Sequence, residues 1–446
     1  MSCLSVPVAE DGQPEHGRGS YVYGYGFDEL VASMPSMAGK TIAVTGSTSG
    51  TGYVLAREAA NKGARVLLLN RPSPRADAAE VRLTPTPKSA PPGGVFAAAV
   101  SSPKASAASD ELKEETTAGS VEHVDCDLTS FASCEAAAAS VLKRVGDAGL
   151  DVLCCNAAVM HLNDEVTADG FDVQMQTNHL GHHVLVCRLM PALAAAGALR
   201  GEARIVMHSS EAKHVDGMNG SLLHPPSWGA RLQPEYFEKH AAGELGGEGW
   251  PVPGKIMFFH GPKQTRYFQS KLANYVYTCE RNAACTGERR FPRALASRSD
   301  AEASARAPLS LPRALSTRAP LPRFALKDKL DAAGSKIKAM CCHPGVCKTR
   351  LIESGPQTNG YDIGETIAFE PMMMSVDDGA QAIIRASLEE DVQSGDFFGP
   401  ARPCYPLRLF GPAEKLPIEE FLLAPEQKEL VVVKSEEATG VKLEVQ

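Results

Sequence analysis

The stretch from Lys40 to Lys62 constrains the fold of this chain more than any other. Residues 41–44 are β-branched or apolar and predict a short strand, whereas residues 53–62 have the pattern of a helix. Between them, glycines at 46, 50 and 52 allow a sharp turn and a close approach of backbone to ligand. A phosphate bound there would meet the free N–H groups and the positive dipole end of the helix. The pattern predicts a dinucleotide site; a glycine-rich turn without a ligand is the alternative.

The second predicted strand, residues 64–69, ends at Asn70 and Arg71. In dinucleotide-binding folds an acidic side chain at this place hydrogen-bonds the ribose 2′-hydroxyl of NAD, whereas an arginine accommodates the 2′-phosphate of NADP. This chain has no acidic residue there, so Arg71 favours NADP and makes NAD less expected. An ordinary surface arginine is the alternative for this residue.

Three more predicted strands end in polar or small residues: Asp127 follows the third strand, Asn156 and Ala157 the fourth, and Ser209 and Ser210 the fifth. Ligands bind outside the carboxyl ends of parallel strands, so we expect these residues at one edge of a sheet. Asp127 can contact an adenine or cap the next helix. Either serine can donate to a substrate oxygen or serve as a turn residue.

Tyr267 and Lys271 lie in a run without Gly or Pro that predicts one helix over residues 267–278. Their spacing of four places both side chains on one helical face. A phenol normally titrates near pH ~10, and a neighbouring ammonium lowers that value. Such a pair can pass a proton to or from a carbonyl or alcohol oxygen. For the isolated pattern, an exposed aromatic beside a solvated lysine is the alternative.

Composition narrows the function classes. The 446 residues are 43% hydrophobic, with a formal charge of -8, which argues against general nucleic-acid binding. Twelve cysteines without a CxxC spacing, and an N-terminus without an apolar leader, predict a reduced cytoplasmic compartment. The most apolar stretch, residues 183–199, contains Arg188 and Pro191 and is too short to span a bilayer, so no transmembrane segment is expected.

Together, the motifs resemble those of the short-chain dehydrogenase/reductase family. The order of the motifs is the same as in that family, and the sequence around residues 167–182 and 267–274 is most similar to its retinol dehydrogenase-like branch. The matching motifs are Thr45-Gly46-x-x-x-Gly50-x-Gly52, Asn156-Ala157, Asn178-His179-Leu180-Gly181-His182, Ser209-Ser210, Tyr267-x-x-x-Lys271 and Pro344-Gly345.

This resemblance implies a catalytic tetrad. Tyr267 would be the general acid/base, Lys271 would lower its pKa and hold the nicotinamide ribose, and Ser210, rather than Ser209, would orient the substrate oxygen. Asn178 would anchor a water that relays protons to Lys271. Three histidines on the same helix as Asn178 are expected to be packing or solvent residues rather than metal ligands, and no metal site is predicted: His179, His182 and His183.

The same resemblance implies the cofactor site. Its members would hold the pyrophosphate, the adenosine phosphate, the adenine, the riboses and the nicotinamide. They are Gly46, Ser47, Gly50, Thr51, Gly52, Arg71, Asp127, Leu128, Asn156, Ala157, Tyr267, Lys271, Pro344, Gly345, Val346 and Thr349. One departure is Ala158, which stands where the family usually has glycine.

The predicted fold is an α/β single domain with a doubly wound, Rossmann-type parallel sheet and long insertions. The domain is expected over residues 39–400, between an N-terminal extension of residues 1–38 and a C-terminal extension of residues 401–446 that is charged after Leu430. Insertions are expected at about 72–120, 211–264 and 281–328. The second is either a substrate lid or a surface loop, and the third is a disordered insertion or a basic tether for nucleic acid or anionic lipid.

The expected activity is hydride transfer between NADP(H) and a carbonyl or alcohol substrate, which we expect to be a hydrophobic small molecule. A catalytically silent dinucleotide-binding scaffold or sensor is the alternative, because Ala158 and the insertions depart from the family pattern. The sequence predicts neither the identity of the substrate, the direction of reaction nor the oligomeric state.

Overall fold

The computed structural model describes residues 24–84, 119–214, 230–246, 262–279, 325–353, 373–404, 407–419 and 422–445. Within these ranges eight strands form one sheet in the order β3-β2-β1-β4-β5-β6-β7-β8. The first seven are parallel and β8 is antiparallel to β7. The strands are β1 Thr41–Thr45, β2 Arg65–Asn70, β3 Ser120–Asp125, β4 Val152–Cys155, β5 Ala203–His208, β6 Ile337–Cys342, β7 Phe397–Cys404 and β8 Leu407–Leu416.

Helices cover both faces of this sheet. The helices used below are α1 Phe27–Ser33, α2 Gly50–Asn61, α3 Pro74–Leu83, α4 Phe131–Val145, α5 Val173–Arg200, α6 Pro262–Thr278, α7 Leu326–Ala332, α8 Val376–Leu388 and α9 Pro425–Thr439. One apolar core lies between the sheet and α1, α2 and α8, and the other between the sheet and α4, α5, α6, α7 and α9. The predicted doubly wound α/β sheet is confirmed.

Alternating side chains of the central strands supply the two cores. Ile42 and Val44 of β1 belong to the first core, whereas Ala43 belongs to the second. Leu67 and Leu68 of β2 divide in the same way. Successive side chains of a strand point to opposite faces, and a parallel sheet is buried on both, so such strands are apolar throughout. For this reason the short apolar runs of the sequence predict the central strands.

The C-terminal residues correct the predicted domain boundary at residue 400. That boundary falls inside β7, and β8 follows it and pairs with β7 along its length. In α9, Val431 is fully buried and Val432 is 4% exposed, although this region had been expected to be a charged extension. The two valines occur within a polar sequence, and their burial depends on packing against α6, which the local pattern does not show.

The N-terminal boundary and the insertions also differ from the prediction. Leu30, Met34 and Met37 pack in the first core, so the fold begins before residue 39. The range 72–120 contains α3, whose N-terminus is capped by the Ser73 hydroxyl. The last residues of the predicted 281–328 insertion begin α7. The remainders, residues 85–118 and 280–324, lie outside the described residues.

The predicted 211–264 insertion is described at residues 211–214, 230–246 and 262–264, and the last three belong to α6. Residues 230–246 are attached to α6 by its side chains. The Gln269 amide donates to the Arg231 carbonyl at 2.8 Å and accepts from the Gln233 N–H at 2.9 Å. Arg266 donates to the Gly246 carbonyl at 2.6 Å. None of the described residues 230–246 lines the cleft at the carboxyl edge of the sheet.

Helix α5 is long and apolar enough to meet the length and composition of a membrane span. In the fold it is a core helix, with 61% of its apolar window buried. Residues 176–180 of α5 form a π-helical turn, and Asn178 lies within it. Such turns occur often at functional sites.

Candidate active site

A cleft of about 1410 Å³ runs along the carboxyl edge of the parallel strands. The residues that line it come from the turn after β1, the end of β2 and the loops after β3, β4, β5 and β6, together with α6. Strand order reverses between β1 and β4, and open α/β sheets bind their ligands at such a switch point.

The glycine turn after β1 forms one wall of the cleft. Gly46 and Gly50 have φ of 66° and 67°, the left-handed region that side chains other than glycine rarely adopt. A Cβ on Gly52 would lie 2.3 Å from the Asn156 amide nitrogen and 2.6 Å from the Gly46 carbonyl oxygen. Gly50 and Thr51, the first residues of α2, line the cleft. The turn thus places a helix N-terminus at the place predicted for a pyrophosphate.

Asn156 fastens this turn to β4 and β5. Its amide nitrogen donates to the carbonyls of Thr45 at 3.0 Å and Gly46 at 3.2 Å. Its oxygen accepts from the Thr51 hydroxyl and from the His208 Nδ1–H, both at 2.9 Å. The side chain predicted to face the cofactor ribose therefore also shapes the glycine turn, and Ala157 lies beside it in the cleft wall.

Ser47 and Asn70 join the ends of β1 and β2. The Ser47 N–H donates to the Asn70 amide oxygen at 2.9 Å, and the Asn70 amide nitrogen donates to the Ser47 hydroxyl at 3.0 Å. Both side chains are buried. The sequence indicates only that Asn70 ends a strand. In the structure its side chain holds the glycine turn in place.

Arg71 lies at the end of β2 and lines the same cleft as Arg75 and Arg350. The pKa of Arg75 is lowered, first by burial and then by the positive charges of Arg350 and Arg71. Three cations therefore lie close together at the end of β2. Only Arg71 was predicted. Arg75 is the second residue of α3, and Arg350 follows β6, so no local pattern connects the three.

Asp127 and Leu128 line the cleft after β3. The Asp127 carboxylate accepts from the N–H of Thr129 at 2.9 Å and from its hydroxyl at 2.7 Å, which stabilises the turn before α4. Ser130 rather than Asp127 caps α4. Asp127 thus orders a turn instead of capping α4, and it lines the cleft; its contact with an adenine stays a prediction.

Pro344, Gly345, Val346 and Thr349 line the cleft from the loop after β6. Gly345 has a φ of 69°, and a Cβ there would lie 2.3 Å from the Leu409 carbonyl oxygen of β8. Thr349 reaches towards the glycine turn, since a Cβ on Gly50 would lie 3.5 Å from its Cγ2. This loop closes the cleft from the side opposite β1.

Tyr267 and Lys271 project from α6 into the cleft, as their spacing predicted. The Lys271 Nζ lies 5.7 Å from the centroid of the Tyr267 ring and donates to the His208 carbonyl at 3.0 Å. Ser210 lies close enough to the Tyr267 phenol to lower its pKa. The Ser209 hydroxyl instead donates to the Lys271 carbonyl at 2.7 Å, so of the two serines Ser210 is the one that meets the phenol.

Burial reverses the expected shift in the pKa of Tyr267. Burial raises this pKa to about 12, although nearby Ser210 lowers it, and nearby Cys347 raises it further. Burial also lowers the pKa of Lys271 to about 8. The spacing predicts that the ammonium lowers the pKa of the phenol, whereas in the structure desolvation has the larger effect, and the amine is itself buried.

Asn178 lies behind α6, the helix that carries Tyr267 and Lys271. Its amide donates to the carbonyl of Val159 at 2.9 Å and to the Ser270 hydroxyl at 2.9 Å, and its amide oxygen accepts from the Val159 N–H at 2.8 Å. Its backbone carbonyl accepts from the Asn274 amide at 3.0 Å and contacts His182 Nδ1 at 3.0 Å. The side chain thus joins the β4 loop to α6.

His161 was not singled out in the sequence. It is the only non-glycine residue with a positive φ, 58°, in the described ranges, and its ring meets that of Tyr267 edge-on at 5.9 Å. Its side chain is buried and lines the cleft. Backbone conformations of this kind persist where the surroundings demand them, commonly at functional sites. No spacing or composition signal marked this residue.

An ionic cluster lies directly behind Ser210. The Lys213 ammonium, fully buried, lies 3.2 Å from carboxylate oxygens of both Glu211 and Glu419. Glu211 also lies 3.1 Å from His343 Nε2, and Glu419 lies 2.8 Å from His214 Nε2. Three potential metal ligands, one each from Glu211, His214 and Glu419, come within 4.8 Å of one another. The Lys213 charge already occupies the place that a cation would take between the two glutamates.

Comparisons with known proteins agree with this geometry. A family model described as short chain dehydrogenase matches residues 92–222. A short-chain dehydrogenase/reductase of Colletotrichum higginsianum is 30% identical over 254 residues, which are 56% of this chain and 51% of that protein. Over these residues the chain is similar to short-chain dehydrogenases/reductases. Its sequence is also similar to retinol dehydrogenase 13 of Homo sapiens, with 28% identity over 185 residues that cover 42% of this chain and 45% of that protein.

The chain spans about half the length of these curated relatives. Among solved structures, that of an uncharacterised protein from Mycobacterium paratuberculosis aligns with a TM-score of 0.54 and 23% identity over 93% of this chain and 98% of the other. This likeness shows the shared fold.

Proposed function

We propose that the protein transfers a hydride between NADP(H) and the carbonyl or alcohol group of an apolar small molecule. The observation that carries the proposal is the phenol of Tyr267, with Ser210 and Lys271 beside it, in a cleft that is continuous with the glycine turn. A proton donor, an orienting hydroxyl and a cation are the groups needed to stabilise charge on a reacting oxygen.

The cleft suits a dinucleotide. The start of α2, with glycines where the backbone turns, offers N–H groups to a pyrophosphate, and Asp127 and Leu128 flank the expected place of the adenine. The bound nicotinamide would supply or accept the hydride. Arg71, Arg75 and Arg350 support NADP over NAD, because three crowded cations gain most from an additional phosphate.

Tyr267 is suited to donate a proton. With a pKa of about 12, its phenol keeps its proton at neutral pH and can protonate the oxygen of a carbonyl that receives the hydride. The product of that step is an alcohol, and the phenolate left behind is stabilised by Ser210 and by the nearby Lys271 ammonium. A protonated phenol in the protein without bound substrate favours reduction of a carbonyl over oxidation of an alcohol.

The substrate end of the cleft is apolar. Tyr267 belongs to a small buried cluster with Met160, Phe268 and Met373, against which Val346 packs. Such a lining removes water from the reacting oxygen and favours a hydrophobic substrate. His161 is the polar group that meets the phenol ring on this side, and it would contact the substrate near its reacting group.

Replacing Tyr267 by Phe tests the proposal. We expect turnover of NADPH with a panel of aldehydes, ketones and quinones to fall on the order of 10²- to 10⁴-fold, while NADPH binding is retained, because only the proton donor is lost. Tyr277→Phe is the matched control: Tyr277 lies on the same helix, is fully buried and hydrogen-bonds His183 away from the cleft. Its turnover should stay close to that of the unmodified protein.

Wild-type activity in Tyr267→Phe would contradict the assignment of the proton donor. NADPH binding without turnover of any panel member by the unmodified protein would instead favour the catalytically silent dinucleotide-binding scaffold. Fluorescence of bound NADPH and the loss of its absorbance measure the two quantities separately.

A further inference from the structure

Asn274 shares a hydrogen-bond acceptor with the catalytic lysine. The Lys271 ammonium donates to the His208 carbonyl at 3.0 Å, and the Asn274 amide nitrogen donates to the same oxygen at 3.1 Å. The second N–H of this amide donates to the Asn178 carbonyl at 3.0 Å. Asn274 lies one turn after Lys271 on α6 and is 1% exposed. One side chain thus joins Asn178 to the oxygen that holds the lysine.

The orientation of this amide is set from outside α6. Because both amide hydrogens face backbone carbonyls, the amide oxygen must be the atom that contacts His179 Nδ1, at 2.9 Å. His179 therefore carries its proton on Nδ1, and its Nε2 lies 2.8 Å from the Ser435 hydroxyl of α9, which also has the Val431 carbonyl as an acceptor at 2.5 Å. All of these groups are buried, where an unpaired polar atom would be costly.

We infer that Asn274, held by His179, is a positioning residue that fixes the Lys271 ammonium through the His208 carbonyl. The inference rests on the proposed function, in which Lys271 acts at the reacting end of the cleft. It also changes how Asn178 is connected to that lysine. The connection implied by the family resemblance was a water on Asn178, whereas here an amide and a backbone carbonyl already join the two residues.

His183 offers a matched comparison for His179. Both histidines are on α5, both are fully buried, and burial lowers the pKa of His179 to about 3 and that of His183 to about 4, so both are neutral. His183 contacts the Tyr277 hydroxyl and the Val441 carbonyl, both at 3.0 Å. Replacing either histidine by Leu removes two buried hydrogen-bond contacts, but only the contacts of His179 lead to Lys271.

The experiment compares His179→Leu, His183→Leu and Asn274→Ala in the full chain, with kcat for NADPH-dependent carbonyl reduction measured from pH 6 to pH 10. We expect His179→Leu and Asn274→Ala to lower kcat on the order of 10- to 100-fold, since small misplacements of a catalytic group have effects of that size. The limb of the profile governed by Lys271, near pH 8, should move to higher pH, because the His208 carbonyl then accepts from the ammonium alone and favours its charged form.

His183→Leu should lower the thermal stability about as much as His179→Leu does. Its kcat and the pH profile of kcat should remain those of the unmodified protein. Equal losses of kcat in the two histidine variants, with no movement of the limb near pH 8, would overturn the inference. If Asn274→Ala does not fold, the comparison of the two histidine variants decides. If the unmodified protein binds NADPH but reduces no carbonyl, the proposed function fails. In that case the pH dependence of NADPH affinity is measured in the same variants, and it tests the positioning of Lys271 independently of catalysis. A pH dependence that is the same in His179→Leu and Asn274→Ala as in the unmodified protein would contradict the inference.

Discussion

Arg75 lies among like charges at the end of β2, where Arg71 and Arg350 lower its pKa in addition to burial. All three side chains belong to the lining of the cleft. Like charges that crowd one another in a folded protein are relieved when an anion binds between them. At the place where the ribose of a dinucleotide is expected, a 2′-phosphate is such an anion. The three residues therefore argue for the phosphorylated cofactor more strongly than Arg71 does alone.

Replacing Arg75 by Ala should weaken NADPH binding on the order of 10- to 100-fold and leave NADH binding nearly unchanged, because a lost charge-assisted hydrogen bond to phosphate has an effect of that size. Fluorescence titration with each cofactor measures the difference. Arg82→Ala is the control, since Arg82 is at the other end of α3 and is not among the residues that line the cleft. Equal losses for the two cofactors in Arg75→Ala would remove this argument for NADP.

At the scale of elements, a buried contact between a carboxylate and an imidazole links the loop after β5 to the loop after β6. Glu211 follows Ser210, His343 precedes Pro344, and the carboxylate and the imidazole are 3.1 Å apart. Burial by itself would raise the pKa of Glu211, but the positive charges of Lys213 and the histidines around it outweigh burial and hold that pKa at about 2. The cluster thus fixes two walls of the cleft relative to each other.

Glu211→Gln should destabilise the fold at pH 7 by roughly 3 kcal/mol, because it leaves buried Lys213 with one carboxylate fewer. A depressed pKa contributes stability above the unfolded value, near 4.5, which is lost as the pH falls through about 2. The difference in free energy of unfolding between the variant and the unmodified protein should accordingly become smaller as the pH is lowered from 4.5 towards 2. Urea unfolding at several pH values measures it.

The control for this prediction is Glu414→Gln, an exposed glutamate on β8, which should change stability by less than about 0.5 kcal/mol at every pH. A difference for Glu211→Gln that stays constant between pH 7 and pH 3 would show that its charge does not provide the stabilisation.

Elements with strong local patterns could be read from the sequence, and those that depend on distant partners could not. The strand predicted at residues 203–208 has the same bounds in the structure, and α6 includes the predicted run 267–278. The glycine turn and the spacing of Tyr267 and Lys271 are local, and so are visible in the sequence. The residues that contact Asn274, His161 and Arg350 come from distant parts of the chain, so local patterns do not reveal them. Burial likewise raises the pKa of Tyr267, whereas the spacing of Tyr267 and Lys271 predicts a lowered value.

At the scale of the whole molecule, the C-terminal residues complete the domain. β8 closes one edge of the sheet, and α9 covers the core beside α6 and supplies Ser435 to His179. The sequence after residue 400 was read as an extension because its apolar residues are few and spaced among charges. Only the assembled fold shows that α6, which carries Tyr267 and Lys271, is covered by these final residues.

Val431→Ala should lower the free energy of unfolding by about 2 kcal/mol, because two buried methyl-sized groups are removed and a cavity remains. Val433→Ala is the matched control on the same helix, where the side chain is 42% exposed and the change should be below about 0.5 kcal/mol. Chemical denaturation of both variants gives the comparison. Equal effects would mean that α9 is not part of the cooperative fold.

One junction in the fold has a practical use. Thr84 ends the described part of the chain after α3, and Gly119 resumes it immediately before β3, where Ser120 bonds the Ala64 carbonyl at the start of β2. This junction is at the amino edge of the sheet, whereas the cleft is at the carboxyl edge. A dye or an immobilising group attached at exposed Thr84 would anchor the protein to a sensor surface by its back, leaving the cleft open to the flowing solution.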